Sequence, residues 1–329
     1  DKQWAAGIYG KTREISGALR DGIAESLVLL SVYGSELFKG RLSFNTEWRA
    51  EKLVRELLEP LTLHTLESQS SDLPLYSEAA PEPFLSIIEA DLRTNEPASL
   101  ALMKPMSNVM FGRSYRTGLL WALENLAWSE RHFMRTVLVL GRLAERVIDD
   151  NLVNKPSSSL SAIFRSWMPQ TSADLETRKK ALSKLAETFP SVAWPILIEQ
   201  FERGSRVGDF SHKPRWRPDG HGYGNVVTRW EGNEFAMHAL QTALAWPSHT
   251  LSTISDLVEN LDGLDDSLRQ QVWDVVDDWI KGADDADRAA LREKIRVSTF
   301  TRRALRRRKR EDERGVDERA RAAYEALEP

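Results

Sequence analysis

Residues 118–147 read GLLWALENLAWSERHFMRTVLVLGRLAERV, and this stretch indicates the fold more clearly than any other part of the chain. Its apolar residues recur at steps of three and four, first from Leu119 to Leu126 and again from Phe133 to Val147, which is the spacing of amphipathic helices. Ser129 lies between the two runs as a helix-start signal. The apolar stripe of the second run is wide, so its helix has to be buried on two sides. The stretch therefore predicts a helical hairpin inside a stack of helix pairs.

Helical periodicity extends over most of the remaining chain, and runs with strand-like alternation are absent. Residues 68–83 are rich in Ser, Pro and Asp and predict an irregular connector. Pro190 predicts the end of one helix, with the next beginning near Pro195. The helices predicted on this basis cover residues 12–37, 47–63, 84–92, 99–103, 160–167, 173–189, 230–245, 251–261, 268–280 and 288–327.

The predicted fold class is all-α, with the helices arranged as an irregular solenoid of the HEAT or armadillo type. The uneven spacing of Trp128, Trp167 and Trp194 argues against a strict repeat. Local periodicity cannot separate a solenoid from two packed helical bundles, which is the alternative. We predict an N-terminal helical part over residues 1–112. The helical-hairpin array that follows covers residues 113–329, with a long loop at 203–228 and charged helices at its C-terminal end.

Composition narrows the class of protein. The chain has 329 residues, a net charge of −4 and no cysteine, so disulfides, thiolate metal sites and a cysteine nucleophile are excluded. None of its apolar runs reaches the roughly twenty residues that a membrane span needs. These features predict a cytoplasmic location and no membrane partner. Because the sequence begins with Asp1 and has no signal-peptide pattern, we expect it to be a segment of a longer protein.

The motifs for cofactor or metal chemistry are incomplete. Residues 5–12 end in Gly-Lys-Thr like a phosphate-binding loop, but no buried strand precedes them. His212, Asp219 and His221 would lack a fourth metal ligand. A Gly-x-Ser-x-Gly nucleophile motif is also absent from the sequence. The sequence therefore predicts no cofactor, no metal site and no catalytic residue, and we expect this segment not to be an enzyme.

The loop at residues 203–228 is the best candidate for a binding site, because long irregular loops in compact folds are usually functional or disordered. It interleaves bases with aromatic residues, the types that anchor protein interfaces and stack on nucleic-acid bases. The alternative is a structural role, in which the loop is ordered and Trp216 fills a groove between helices. The predicted partner-binding residues are Trp216 as a buried anchor, Arg215 and Arg217 as hydrogen-bond donors, and His212 and Tyr223 at the rim.

A second candidate surface is the basic run at residues 301–310. It holds seven bases and no acid, so it could bind phosphates or an acidic partner. The helices just upstream are strongly acidic, and mutual neutralisation by these neighbours is the alternative. A nucleic-acid-binding module would use this run together with the 203–228 loop. The basic residues are Arg302, Arg303, Arg306, Arg307, Arg308, Lys309 and Arg310.

Three stretches carry a resemblance to a known group of proteins: WALENLAW at 121–128, VNKPSSSLSAIFRSWMPQT at 153–171 and HKPRWR at 212–217. They resemble the helical region downstream of the enzymatic module in large bacterial antiviral-defence proteins, including those built on STAND-type NTPases. The resemblance implies a non-catalytic segment that senses a viral or host protein, or that holds other domains of its parent chain together. The phrases are not catalytic signatures, so no enzymatic role is carried over to any residue.

Overall fold

The structure, a computed structural model, describes residues 15–105, 114–201, 208, 210–218, 227–300 and 324–326. Every regular element in these ranges is a helix, and they contain no β-strand, which confirms the predicted all-α class. The chain divides into two compact units, the first comprising Asp1–Ala193 with Gly208–Arg229 and the second Trp194–Val207 with Trp230–Pro329.

The first unit is built from ten helices and part of an eleventh among its described residues. They are α1 (Gly17–Leu37), α2 (Thr46–Leu58), α3 (Leu63–Gln69), α4 (Leu73–Ala79), α5 (Pro81–Leu92), α6 (Ala98–Leu102), α7 (Arg116–Ala127), α8 (Glu130–Ala144), α9 (Pro156–Phe164), α10 (Leu175–Thr188) and the start of α11 (Pro190–Glu199). Helix α8 packs against α5, α7, α9 and α10. The predicted hairpin at 118–147 and the two-sided burial of its second helix are both confirmed.

Two glycines allow the close packing around this hairpin. A Cβ on Gly118 would lie 1.7 Å from the carbonyl oxygen of Ser70, so α7 crosses that backbone where no side chain fits. A Cβ on Gly141 would lie 2.5 Å from the ring of Phe189, at the packing of α8 against the end of α10. The hairpin core is completed by Phe133, which is fully buried and meets the edge of Phe164 with ring centroids 5.9 Å apart.

The predicted boundary between residues 112 and 113 lies inside the first unit. Helix α7 packs most extensively against α4, from the other side of that boundary. Asn125 on α7 donates a hydrogen bond to the carbonyl oxygen of Pro74 at 2.9 Å. Helices from both predicted parts therefore share one core, because long-range packing joins elements that a local change in composition separates.

Two predictions about helix ends are wrong, both at prolines. Residues 68–83 form the end of α3, all of α4 and the start of α5 rather than an irregular connector. Pro74 and Pro81 occupy the first turns of their helices, where a missing N–H removes no hydrogen bond. Helix α10 ends at Thr188, just before Pro190 as predicted, but α11 begins at Pro190 itself, so Pro195 lies inside that helix instead of near its start.

The second unit contains α12 (Arg229–Leu244, apart from Arg229 itself), α13 (Leu251–Glu259), a 3₁₀ turn (Leu261–Gly263), α14 (Asp266–Gly282) and α15 (Asp285–Phe300). Its core gathers Trp273, Val276, Leu291 and Ile295 with Leu257 and neighbouring apolar residues. Trp194 belongs to the same core. Its indole N–H donates a hydrogen bond to Asp256 at 2.7 Å, and its ring packs edge-on against Trp246.

Candidate functional site

The longest described piece of the predicted loop is the irregular segment of residues 210–218, which bends at 215–217 and which we call the strap. It lies against helices of the first unit, to which it belongs. Its backbone is held by side chains: Ser211 N–H donates to Gln170 Oε1 at 3.1 Å, and His212 N–H donates to Glu124 Oε2 at 2.7 Å. In return, the carbonyl oxygen of His212 accepts from the indole N–H of Trp128 at 3.1 Å. The strap is therefore an integral part of the first unit.

The His212 ring stacks on Trp121 of α7, with centroids 5.1 Å apart and an interplanar angle of 8°. The residue remains partly exposed, but contact with the indole removes water from one ring face. This desolvation lowers the pKa of His212, against a smaller opposite effect of the Glu78 charge. The His212 ring is thus in contact with its own chain.

Glu124 on α7 lies beneath the strap with two hydrogen-bond donors. Ser159 Oγ donates to its carboxylate at 2.6 Å, and His212 N–H donates to the other oxygen. Burial raises the pKa of Glu124, and the two hydrogen bonds offset part of that rise. The Glu124 carboxylate thus accepts the hydrogen bond from His212 N–H that holds this part of the strap against α7.

Glu78 at the end of α4 holds the other end of the strap and is 3% exposed. Its Oε1 accepts hydrogen bonds from the N–H of Trp216 and, at 2.9 Å, from the N–H of Arg217. The Arg217 guanidinium donates to the carbonyl oxygens of Glu78 and Ala79 and to Glu47 of α2. Arg217 therefore ties α2 and α4 together.

Trp216 and Arg215 complete the strap against α1. Tyr33 donates its hydroxyl to the carbonyl oxygen of Trp216 at 3.0 Å, and Arg215 pairs with Glu25 at 3.0 Å while stacking on the Trp216 ring. The indole N–H of Trp216 is buried and has no partner among the described residues. Among Tyr33, Arg215 and Trp216, Arg215 has the most exposed side chain, at 68%.

The structure thus brings together His212, Arg215, Trp216 and Arg217, and each contacts its own unit. This arrangement matches the alternative of an ordered loop plugged into helices. Tyr223 and the basic residues 302–310 lie outside the described residues, as do Asp219, His221 and residues 5–12. Partner binding through the strap stays a prediction. Of its four predicted residues, His212 and Arg215 are exposed, whereas Trp216 and Arg217 are partly buried.

A different surface stands out on helices α1 and α2. Twelve of the eighteen exposed large apolar residues of the described chain belong to residues 15–57. We call these twelve the α1–α2 surface. They are Ile15, Leu19, Ile23, Leu29, Leu30, Tyr33, Leu37, Leu42, Phe44, Trp48, Leu53 and Leu57.

Helix α1 fully buries no residue larger than valine and exposes most of its large apolar residues. Its buried positions are Ala24, Val28, Ser31 and Gly34. A Cβ on Gly34 would lie 2.7 Å from the hydroxyl of Thr46, so the glycine allows close approach to α2. The predicted periodicity of α1 is therefore correct for the helix, while its largest apolar side chains lie on the solvent side. Only their heptad-like spacing in the sequence could have signalled this.

Most charges beside the α1–α2 surface are already paired within the chain. Glu36 lies 3.9 Å from Lys39, Lys52 lies 3.7 Å from Glu56, and Arg55 lies 3.4 Å from Glu59. Arg20 on α1 pairs with the buried Asp72. Exposed pairs of this kind add little stability, but they leave the surface without a strong net field.

Within the described ranges, no group of three or more His, Asp or Glu residues is arranged to hold a metal ion. None of the helices there is both long and apolar enough to cross a bilayer. No known protein family, curated protein or solved structure matches this chain.

Proposed function

We propose that this chain is a non-catalytic protein-interaction segment, acting in the cytoplasm as the sensor or scaffold part of a larger bacterial defence protein. The observation that carries the proposal is the α1–α2 surface. The defence context rests on the three sequence stretches at 121–128, 153–171 and 212–217. In such a protein the helices of this chain would form part of an irregular HEAT-like or armadillo-like array.

The energetic argument starts from the cost of leaving large apolar side chains in water. Full burial of a Leu or Phe side chain is worth about 1.5–3 kcal/mol. Leu37 is 70% exposed, Trp48 57% and Phe44 51%, and all three lie on or next to the connection between α1 and α2. Contiguous apolar patches on soluble proteins are usually small, and larger ones mark sites of interaction. A partner that covers this surface gains the burial energy that the isolated chain forgoes.

The charge pattern favours an apolar protein partner over a nucleic acid. Phosphate binding requires bases that are available to neutralise the backbone. Of the six bases in residues 15–59, Arg20, Lys39, Lys52 and Arg55 are paired with acids of the chain. Binding at this surface should therefore depend weakly on salt. The nucleic-acid alternative depends on residues 302–310 and stays a prediction.

The strap contributes to this function by positioning. The carbonyl oxygen of Trp216 accepts a hydrogen bond from the Tyr33 hydroxyl. Arg215 forms an ion pair with Glu25 of α1, and Arg217 forms one with Glu47 of α2. The residues first predicted to bind a partner thus brace the two helices that carry the α1–α2 surface. We infer that they act on partner binding through these helices.

The experiment compares three tagged forms of the chain expressed in bacterial cells and purified after nuclease treatment. The forms are the unmodified chain, the L37S/F44S double variant and a control, V147S/V153S, whose two sites are 86% and 77% exposed outside the α1–α2 surface. Bound proteins are identified by mass spectrometry, and direct binding is then measured with each purified protein. We expect a protein bound by the unmodified chain and by the control, with at least tenfold weaker binding to L37S/F44S. Equal binding of every protein to all three forms would contradict the proposal.

A further inference from the structure

The exposed side of α1 carries a heptad pattern. Leu19, Ile23, Ser26, Leu30, Tyr33 and Leu37 follow one another at alternating steps of four and three residues. This alternation is the a/d spacing of a coiled coil, in which the apolar seam of one helix packs against the seam of another. All six residues are exposed, and the apolar ones range from 41% for Tyr33 to 70% for Leu37. We call these six residues the seam.

The polar atoms on the seam are already satisfied within the chain. Ser26 donates its hydroxyl to the carbonyl oxygen of Gly22 at 2.7 Å, inside the same helix. Tyr33 donates its hydroxyl to the backbone of the strap. Since a buried donor without a partner costs free energy, a seam whose donors are already bonded can be covered by an apolar helix without that penalty.

The seam is complementary to an antiparallel copy of itself. If two α1 helices run in opposite directions about a two-fold axis near residue 28, Leu19 of one copy faces Leu37 of the other and Ile23 faces Tyr33. Leu30 then faces Ser26, beside Gly22, where a Cβ would meet no atom within 4 Å. Ser26 and the adjacent Gly22 thus leave room for Leu30 of the other copy.

Electrostatics agrees with this direction of pairing. Helix α1 has no acidic residue in its first turn and no basic residue in its last, so side-chain charges do not compensate its dipole there. In an antiparallel pair the N-terminus of each helix lies beside the C-terminus of the other, which is the favourable arrangement of two helix dipoles. The pairs Glu36–Lys39 and Arg20–Asp72 are formed within one chain, so a second copy brings no uncompensated charge against the seam.

We propose that the seam on α1 binds a second copy of this chain, forming a symmetric dimer through an antiparallel α1–α1 contact. This inference rests on the proposed function, because it names the partner of the α1–α2 surface. A stable interface buries about 800 Å² on each partner. The seam spans roughly 27 Å at 1.5 Å per residue, and Leu29, the residue next to Leu30 in the sequence, is also exposed.

The test measures mass by sedimentation equilibrium of the full chain between about 1 and 100 µM, the range in which interfaces of modest affinity dissociate. We expect the mass to rise from the 37.4 kDa of one chain toward twice that value. Gly22→Leu places a large side chain into the gap that Leu30 of the other copy needs. It should weaken association at least tenfold. Gly17→Leu is the matched control, because the space around its Cβ is also open and it lies on α1 away from the seam.

Neither glycine substitution should harm the single chain. Both positions have negative φ and open surroundings, and leucine favours a helix over glycine. Thermal unfolding followed by circular dichroism should therefore give both variants a midpoint at or above that of the unmodified chain. A loss of association by Gly22→Leu with this midpoint retained reports on the interface and not on the fold.

Cysteine crosslinking tests the direction of the pair, since the chain has no cysteine of its own. A mixture of Ser26→Cys and Leu30→Cys chains should form a disulfide-linked dimer on mild oxidation, because a disulfide needs Cα atoms within about 7 Å. Ser26→Cys alone should crosslink much less. Efficient crosslinking of Ser26→Cys alone would indicate a parallel pair and overturn the antiparallel arrangement.

The remaining outcomes separate this inference from the proposed function. A chain that stays monomeric at every concentration, or that dimerises equally with Gly22→Leu, overturns the proposed dimer. If L37S/F44S still loses a captured partner protein in that case, the proposed function stands with a different occupant. If no association of any kind depends on these residues, both proposals fail.

Discussion

The α7–α8 hairpin and the α1–α2 pair share the apolar periodicity of helices, but the large apolar residues are buried in the hairpin and exposed in the pair. In the hairpin, Leu119, Phe133 and Leu140 are fully buried. In α1, Leu19, Ile23 and Leu37 are more than half exposed, and the buried side consists of small residues. The comparison teaches that apolar periodicity specifies a helix and an apolar stripe, whereas the space left by neighbouring helices determines which side is buried.

The strap physically joins these two regions. It contacts α7 through His212 and Glu124, and it contacts α1 through Arg215 and Trp216. The exposed helices are thereby held against the buried ones by side-chain hydrogen bonds to the strap backbone. Four predictions test this contrast between the two regions.

The largest effect is expected at glycines of the two regions. Gly118→Ala forces a Cβ to within 1.7 Å of the Ser70 carbonyl oxygen, which has no flexible side chain to move. We expect the free energy of unfolding to fall by at least about 4 kcal/mol, because overpacking against a backbone cannot relax locally. Gly17→Ala on α1 should leave it equal or slightly higher. Urea unfolding followed by circular dichroism measures both, and equal effects would contradict the difference in packing.

The second prediction compares large apolar side chains. Phe133→Ala empties a fully buried site against Phe164 and should lower the free energy of unfolding by about 3–5 kcal/mol. Leu37→Ala, at a site 70% exposed, should change it by less than about 0.5 kcal/mol. The measurement is made at protein concentrations low enough that any association is absent. A large loss with Leu37→Ala under those conditions would mean that α1 is buried within the single chain.

The third prediction concerns the strap that joins the regions. Glu78→Ala removes the acceptor for the N–H groups of Trp216 and Arg217, so we expect a loss of about 1–3 kcal/mol in the free energy of unfolding. The freed strap should also be cut faster by trypsin after Arg215, which is the only base of the strap that is not followed by proline. Glu36→Ala, which removes an exposed pair with Lys39, is the control. Unchanged cleavage in Glu78→Ala would show that Glu78 does not hold the strap.

The smallest effect is the pH dependence due to Glu124. Burial raises the pKa of this group above its ordinary value of 4.5, so the folded chain binds its proton more tightly than the unfolded chain does. The contribution of Glu124 to stability is therefore most favourable below about pH 4.5 and decreases as the pH rises through the folded pKa. Glu124→Gln removes this titration. The difference in unfolding free energy between the two chains, measured from pH 4.5 to 7, should change in favour of Glu124→Gln with rising pH, and a reversed trend would exclude the raised pKa.

Much of the fold could be predicted from local pattern, and the errors have specific causes. The hairpin at 118–147 was predictable because it combines strong apolar periodicity with a clear helix start at Ser129. Residues 68–83 were wrongly predicted as a connector because they are rich in Ser, Pro and Asp, although Pro74 and Pro81 lie in first turns, where proline is compatible with a helix. The packing of α7 on α4 across residue 112 had no local signal, since it depends on contacts between residues far apart in the chain.

For the candidate site, the residue types follow from the sequence alone: aromatic and basic residues in one loop, heptad spacing in α1, and the absence of cysteine. What these residues contact depends on how the rest of the chain folds around them. Glu78 and Glu124 bind the strap backbone, so Trp216 and Arg217 are turned toward their own helices. Gly34 and Ala24 face α1's neighbours, so Leu30 and Leu37 face outward. The physical reason is the same in both cases: side-chain chemistry is local, but the partner that satisfies it is supplied by residues distant in sequence.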